Sequence, residues 1–354
     1  MPTIRTLMAI PVLVALLGLT TAASQAPASP ATDPELARFV TPDRAPAAAL
    51  LAREESGPRY AHAESARTGP AGALGRADHF RAGSVTKTFV ATVVLQLVAE
   101  HRLSLSDRVE TYLPGLLREA GDDGRRTTLR ALLTHTSGLH DFAEDTGGTV
   151  PLTPPQAVHI ALTHPLADRG RFAYSNTNYV ILGMVVERVT GRSYAAEVRR
   201  RILTPLRLTG TSFPGADTTL PSPHGRAYAA DGTDVTDLDP RVAGASGELV
   251  STLADLNRFY AALLGGRLLP PGELRTMRDT RTAHGAYGMG LFPVKLPCGT
   301  TVWGHNGRIS GSYVRTAATV DGRRVLTFRV NTDGMADRDP ETALLTAEFC
   351  PRTP

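Results

Sequence analysis

Lysine is almost missing from this chain. Of 38 basic residues only two, Lys87 and Lys295, are lysine, and the rest are arginine. An arginine cannot act as a free amine, whereas a buried lysine can. Any amine chemistry is therefore confined to two positions. Long apolar runs are also missing beyond the first 26 residues, which excludes a later membrane-spanning helix. No basic stretch is interleaved with aromatics, so a nucleic-acid-binding module is not expected. Arginine clusters such as Arg125-Arg126 and Arg199-Arg200-Arg201 are mixed with acids and apolar residues and read as solvated faces. There is no internal repeat, and the one biased segment is the Ala/Pro-rich stretch from Ala22 to Pro34. Cysteine is scarce too: only Cys298 and Cys350 occur.

The N-terminus reads as a secretory signal over residues 1–26. Arg5 supplies the charge, Leu7 to Leu19 the apolar core, and small residues near Ala23 and Ala26 a cleavage region. The mature protein is then expected to be exported to the extracellular or cell-wall space, with no membrane attachment after cleavage. In that compartment a Cys298–Cys350 disulfide is the natural expectation over a reactive thiol. It closes a loop of 52 residues, worth roughly 4 kcal/mol in the chain-entropy picture. The net charge of +4 and pI near 9.3 suit an anionic wall.

Roughly 330 residues remain, enough for two lobes. After a linker with a short helix (27–45), strands are expected at Ala47 to Arg53 and Arg59 to His62, about the turn Ser56-Gly57-Pro58. The middle of the chain carries helical spacing at Leu129 to Leu133, Gln156 to Leu162 and Val180 to Val189. Leu253 to Leu264 is amphipathic. Strands resume at Gly288 to Val294, Thr300 to Trp303, Gly311 to Val320 and Arg323 to Val330, with Asp321-Gly322 as a hairpin turn. Pro340 to Phe349 closes the chain as a helix. The expected domain spans 46–350: a sheet lobe from about 46–101 and 241–350, and a helical lobe from about 102–240.

The most informative stretch is Phe80 to His101. Ser84 and Lys87 are three residues apart and share one helix face. Ser84 falls at the helix start, where unpaired N–H groups and the dipole favour an oxyanion. From Thr88 to Ala99 only Thr88, Thr92 and Gln96 are polar, so this helix is expected to be buried on nearly all sides. Alone, a serine and lysine at this spacing are as easily a cap and a first-turn residue. Two further segments offer partners. In Phe172-Ala173-Tyr174-Ser175-Asn176, Tyr174 could take the serine proton as a phenolate favoured by Lys87, and Asn176 could hold Lys87 and a substrate amide. In Trp303-Gly304-His305-Asn306-Gly307-Arg308, expected to follow a strand, His305 could carry a proton or positive charge beside a cleft.

Together, Ser84-x-x-Lys87, Tyr174-x-Asn176 and His305-x-Gly307 resemble the three active-site motifs of the penicillin-recognising serine hydrolases. The nearest resemblance is to secreted serine D-alanyl-D-alanine carboxypeptidases, related to class C β-lactamases. The flanking Thr134-His135-Thr136-Ser137-Gly138-Leu139 and Tyr287-Gly288-Met289-Gly290-Leu291 match as well, and Cys298 and Cys350 stand where those enzymes have a disulfide.

The resemblance implies an α+β fold, an antiparallel sheet flanked by helices beside an all-helical lobe. It implies that Ser84 is acylated, that Lys87 and Tyr174 share acid–base duties, and that Asn176 binds the acyl-side amide. His305 would stand where many relatives have lysine. Asn306, Gly307 and Arg308 would line the substrate and oxyanion region, with the N–H groups of Ser84 and Arg308 forming the oxyanion hole. No cofactor and no metal are implied, although His135, His140 and Asp141 cluster in sequence. Ser137 lies outside a G-x-S-x-G elbow and is no rival nucleophile. The implied partners are a peptidoglycan peptide or another D-alanyl amide or ester, with β-lactams as inhibitors or substrates, acting on a monomer. A β-lactamase, an esterase or a penicillin-binding protein that never turns over are the alternatives. One departure stands out. The carboxylate-holding arginine of the carboxypeptidases is Phe292 here, which leaves Arg308 as the nearest candidate for that contact.

Overall fold

The computed structural model describes residues 32–40, 45–54, 57–65, 73–118, 126–334 and 339–351. The expected signal sequence lies outside these, as do residues 27–31 and 41–44 of the linker and Ser56 and Arg125 of the expected turn and cluster. Among the described residues no helix is long and apolar enough to cross a membrane.

Two ends of the chain build one sheet. Strands β1 (Ala47–Glu54) and β2 (Gly57–Glu64) form a hairpin. After the short pair β3 (Phe80–Arg81) and β4 (Val250–Ser251) come β5 (Phe292–Lys295), β6 (Thr301–Ile309), β7 (Ser312–Ala318) and β8 (Val325–Val330). The six-stranded order is β2-β1-β8-β7-β6-β5 and every pairing is antiparallel. The first hairpin thus closes against the last strand, and the intervening chain supplies helices. β7 and β8 are buried along their whole length, as strands covered on both faces must be. One face carries the terminal helices Thr32–Ala37 and Asp339–Phe349, with Leu36, Phe39, Leu344 and Leu345 packed on Leu50 and Phe328. The Cys298–Cys350 disulfide ties the β5–β6 turn to the end of the last helix.

On the other face Leu253–Leu264 bridges the sheet to the helix Thr86–Ala99, with Phe259 stacked on Phe89 at 3.7 Å. Residues Thr86 to Leu95 and Leu97 are all buried, because Asn176–Thr190 covers the far side. The polar stripe of this helix finds partners inside the fold, except at Gln96 Oε1. Thr88 bonds Tyr260 and the carbonyl of Gly290, Thr92 its own helix, and Gln96 the carbonyl of Leu268.

Several elements differ from expectation by one or two residues, and three larger differences lie near the cleft. The Val180 helix starts four residues earlier, at Asn176, with Ser175 as its cap. β5 starts only at Phe292, because Tyr287 to Leu291 forms a turn in which Gly290 (φ 76°) lets the chain pass close to Lys87. The third motif does not follow a strand: it lies inside β6. β5 pairs with β6 only as far as Phe292–Gly304. Beyond Gly304, β6 has an edge without a β5 partner.

Candidate active site

Gly83–Val85 is a single 3₁₀ turn leading into the long helix, and it presents Ser84 at the head of the buried column. Gly83 (φ 50°) makes this possible: a Cβ there would stand 2.9 Å from the Arg308 nitrogen. At Gly307 a Cβ would stand 1.8 Å from the Ala82 carbonyl oxygen. Two glycines therefore let the Ser84 turn meet the backbone of β6. The N–H groups of Ser84 and Arg308 are brought to neighbouring positions.

Lys87 is completely buried. Its Nζ donates to Ser84 Oγ at 2.9 Å, Asn176 Oδ1 at 2.7 Å and the Ser246 carbonyl at 2.7 Å. All three partners are neutral oxygens. Removal from water outweighs the pull of the Asp141 charge and brings the Lys87 pKa down from 10.5 to about 7. Tyr174 donates to the same Ser84 Oγ at 2.8 Å. Its ring is 37 % exposed at the cleft mouth, but the hydroxyl is turned inward, and desolvation raises its pKa well above the usual value of 10. The phenolate considered from the sequence is thus disfavoured, and the free amine of Lys87 is the more accessible base. The Tyr174 ring stacks on buried His135 at 4.3 Å.

Asn176 opens its helix with its side chain inside the cleft and donates from Nδ2 to Asp141 at 2.9 Å. Asp141 caps the short helix Phe142–Thr146. From the sequence Asp141 is legible only as a possible metal ligand. Ser246 had carried no signal at all, since it contributes only a carbonyl from a 3₁₀ turn, 159 residues from Lys87.

The third motif is placed differently from its expectation. His305 is buried at 1 % exposure. Its Nε2 pairs with the Tyr287 hydroxyl at 2.7 Å and its Nδ1 with the Asn306 carbonyl. Burial, reinforced by Lys87, takes its pKa down to about 3. His305 is a neutral ring behind the cleft, not a cation facing it, because β6 carries the motif into the packed interior. Asn306 is half-buried with its side chain bonded to Tyr313. Arg308 is exposed and lines the cleft. Phe292 lies 4.3 Å beneath the buried guanidinium of Arg315.

The cleft has a volume of about 380 Å³ and is walled by Ser84, Asn176, Phe142, Ser246, Gly247 and Arg308, among others. A serine bonded to a poised lysine and a neutral tyrosine, at the edge of an antiparallel sheet, has the constitution of an acylating serine hydrolase. The comparisons agree. Residues 36–349 match the Beta-lactamase family model, and the chain belongs to that family, among the penicillin-recognising serine hydrolases.

A D-stereospecific amidohydrolase from Streptomyces sp. is 39 % identical with a TM-score of 0.82, over 90 % of this chain and 98 % of that one. Penicillin-binding protein 4 of Amycolatopsis lactamdurans is 36 % identical over 213 residues, 54 % of this chain and 52 % of that protein. The match therefore spans about half the length of that curated relative. A D-amino acid amidase from Ochrobactrum anthropi SV3, at 24 % identity and TM-score 0.78, covers 90 % of this chain and 97 % of its own and shares the fold.

Proposed function

We propose that this chain is an exported hydrolase that cleaves the amide or ester bond at the carbonyl of a D-amino acid, through an acyl-enzyme on Ser84. The carrying observation is the double hydrogen bond to Ser84 Oγ, from Lys87 Nζ and Tyr174 OH. The free amine of Lys87 accepts the Ser84 proton as Oγ attacks the carbonyl carbon. The oxyanion forms beside the N–H groups of Ser84 and Arg308. Tyr174 gives its proton to the leaving nitrogen or oxygen and regains one from the Lys87 ammonium. A water then repeats the sequence on the acyl carbonyl and frees Ser84. His305, neutral and tied to Tyr287, holds the wall behind the cleft rather than exchanging protons. Export is supported by the apolar N-terminal segment and by the disulfide.

The substrate reading follows from the leaving-group side. Phe292 provides no cation for a terminal carboxylate, and similarity to a D-stereospecific amidohydrolase favours D-aminoacyl amides, esters and short peptides. A D-alanyl-D-alanine carboxypeptidase reading survives through Arg308, the cation that lines the cleft. The test combines intact-mass spectrometry after penicillin treatment with hydrolysis of paired D- and L-aminoacyl p-nitroanilides. One adduct mapping to the Ser84 peptide, absent in Ser84→Ala, and turnover of the D-substrate alone are expected. An adduct persisting in Ser84→Ala removes the nucleophile assignment, and equal turnover of both enantiomers removes the D-aminoacyl reading.

A further inference from the structure

Away from Ser84, three side chains with metal-ligand chemistry converge. His140 Nε2 lies 2.8 Å from Asp145 Oδ2, and His164 Nε2 lies 2.8 Å from Asp145 Oδ1. The two imidazoles stack at 3.8 Å with an interplanar angle of 22°, so both nitrogens face the same carboxylate. One candidate ligand atom from each residue lies within 4.8 Å of the others. Ligands of a tetrahedral zinc at 2.0–2.2 Å stand roughly 3.3 Å apart, so each histidine–carboxylate pair would open by about half an ångström and the two imidazoles would adjust about the ion. The opposite ring nitrogen of His140, Nδ1, has the exposed Glu144 carboxylate at 4.0 Å, outside hydrogen-bond reach. His135, grouped with His140 in the sequence, is absent from the cluster: it is buried beneath Tyr174.

We infer that His140, Asp145 and His164 form a binding site for one divalent transition-metal ion of the zinc class, completed by water. The ion is structural, not a participant at Ser84. Two imidazoles and a carboxylate are a donor set such ions favour over calcium or magnesium. The site's place in the fold gives it a use. The His140 carbonyl accepts from the hydroxyls of Ser175 and Thr177, and the next residue, Asp141, holds Asn176. The ion would cross-link the segment 140–145 to His164, steadying the wall of the cleft formed by Phe142 and Ala143.

The test is a zinc sulfate titration of the chelator-stripped full chain, read by calorimetry and by thermal unfolding, with cobalt absorption as a geometric signature. One equivalent, an upward Tm shift and tetrahedral cobalt bands are expected. His164→Ala and Asp145→Asn should each weaken binding by more than the roughly 10–100-fold cost of losing an outer-shell partner. Glu144→Gln, whose carboxylate makes no hydrogen bond to His140, should change binding less than either. Asp145→Asn keeps the side-chain shape, so a loss of binding there with metal-free Tm preserved is not a folding defect. Absence of stoichiometric binding in the unmodified chain, or an equivalent retained by both variants, would show a mere carboxylate bridge between two histidines and overturn the site.

Discussion

Two cavities of nearly equal size lie side by side, about 380 Å³ at Ser84 and about 370 Å³ around Tyr194, and both touch Phe142 and Ala243. Beside each stands a buried side chain whose pKa is strongly displaced. In the first, Lys87 falls from 10.5 to about 7; beside the second, Glu248 rises from 4.5 to about 7, in both cases chiefly through loss of water. The same physics drives a base down and an acid up until both are poised near neutrality. What separates them is their company. Lys87 is held by three oxygens, one of them a nucleophile. Glu248 accepts from the Tyr194 hydroxyl at 2.5 Å, beside apolar Met184, Val180 and Ala245 and near Glu187, whose charge adds to its rise. A displaced pKa is thus no mark of catalysis unless a reacting atom stands within hydrogen-bond reach.

The sharpest break in this comparison is Lys87→Arg, which keeps the charge and removes the removable proton. Acylation by a penicillin or D-aminoacyl substrate should fall about 10²–10⁴-fold, nearly as far as in Lys87→Ala. Stopped-flow acylation rates of the three proteins decide it, and a variant near the parent rate would reduce Lys87 to an electrostatic element. In the unmodified enzyme kcat/KM should rise as pH passes through about 7, where Lys87 becomes the free amine. A rate that is flat from pH 6 to 8 would contradict a Lys87 base.

Arg308→Ala probes the polar cavity more gently. A guanidinium–carboxylate contact is worth roughly 1.5–3 kcal/mol. Loss of about ten- to hundred-fold in kcat/KM is expected for carboxylate-bearing peptides or penicillins, with far less for neutral p-nitrophenyl esters. Equal losses on both substrates would make Arg308 a support of loop geometry.

Glu248→Gln carries the smallest effect. Glu248 binds its proton more tightly folded than unfolded, so its contribution to stability is present below about pH 4.5 and lost as pH rises through 7. For Lys87 the sign is reversed: the unfolded chain binds the extra proton between about 7 and 10.5, and stability climbs with pH across that window. Glu248→Gln should therefore stabilise the fold at pH 8 by an amount on the order of 2 kcal/mol, read as a higher Tm, and change it little at pH 4. Thermal unfolding at both pH values, beside unchanged kcat/KM, is the check. An equal shift at both would mean a packing effect.

Much of the fold was readable because its signals are local. Leu253–Leu264 and Leu129–Leu133 were expected at their observed bounds, and the buried helix after Ser84 followed from an apolar run with one polar stripe. The boundaries that moved most were near the cleft. β6 runs on through the third motif although its sequence holds two glycines and an asparagine, since pairing with β7 from Trp303 to Ile309 overrides weak strand propensity. Asn176 was readable as a cleft residue, but not as the first residue of a helix.

What the sequence by itself determined is the inventory: a serine three residues before one of only two lysines, a tyrosine and asparagine two apart, and two cysteines able to pair. Spacing within one turn or one loop is fixed by covalent geometry, so those pairs needed no fold to be recognised. Tertiary structure alone decided which groups are dry and which distant ones meet. Asn176 reaches Lys87 from 89 residues away, His164 shares Asp145 with His140 across 19, and His305 lost its charge to the interior of a sheet. Desolvation and long-range contact belong to the packed chain, where dozens of residues from separate segments exclude water together, and no local stretch of sequence contains that information.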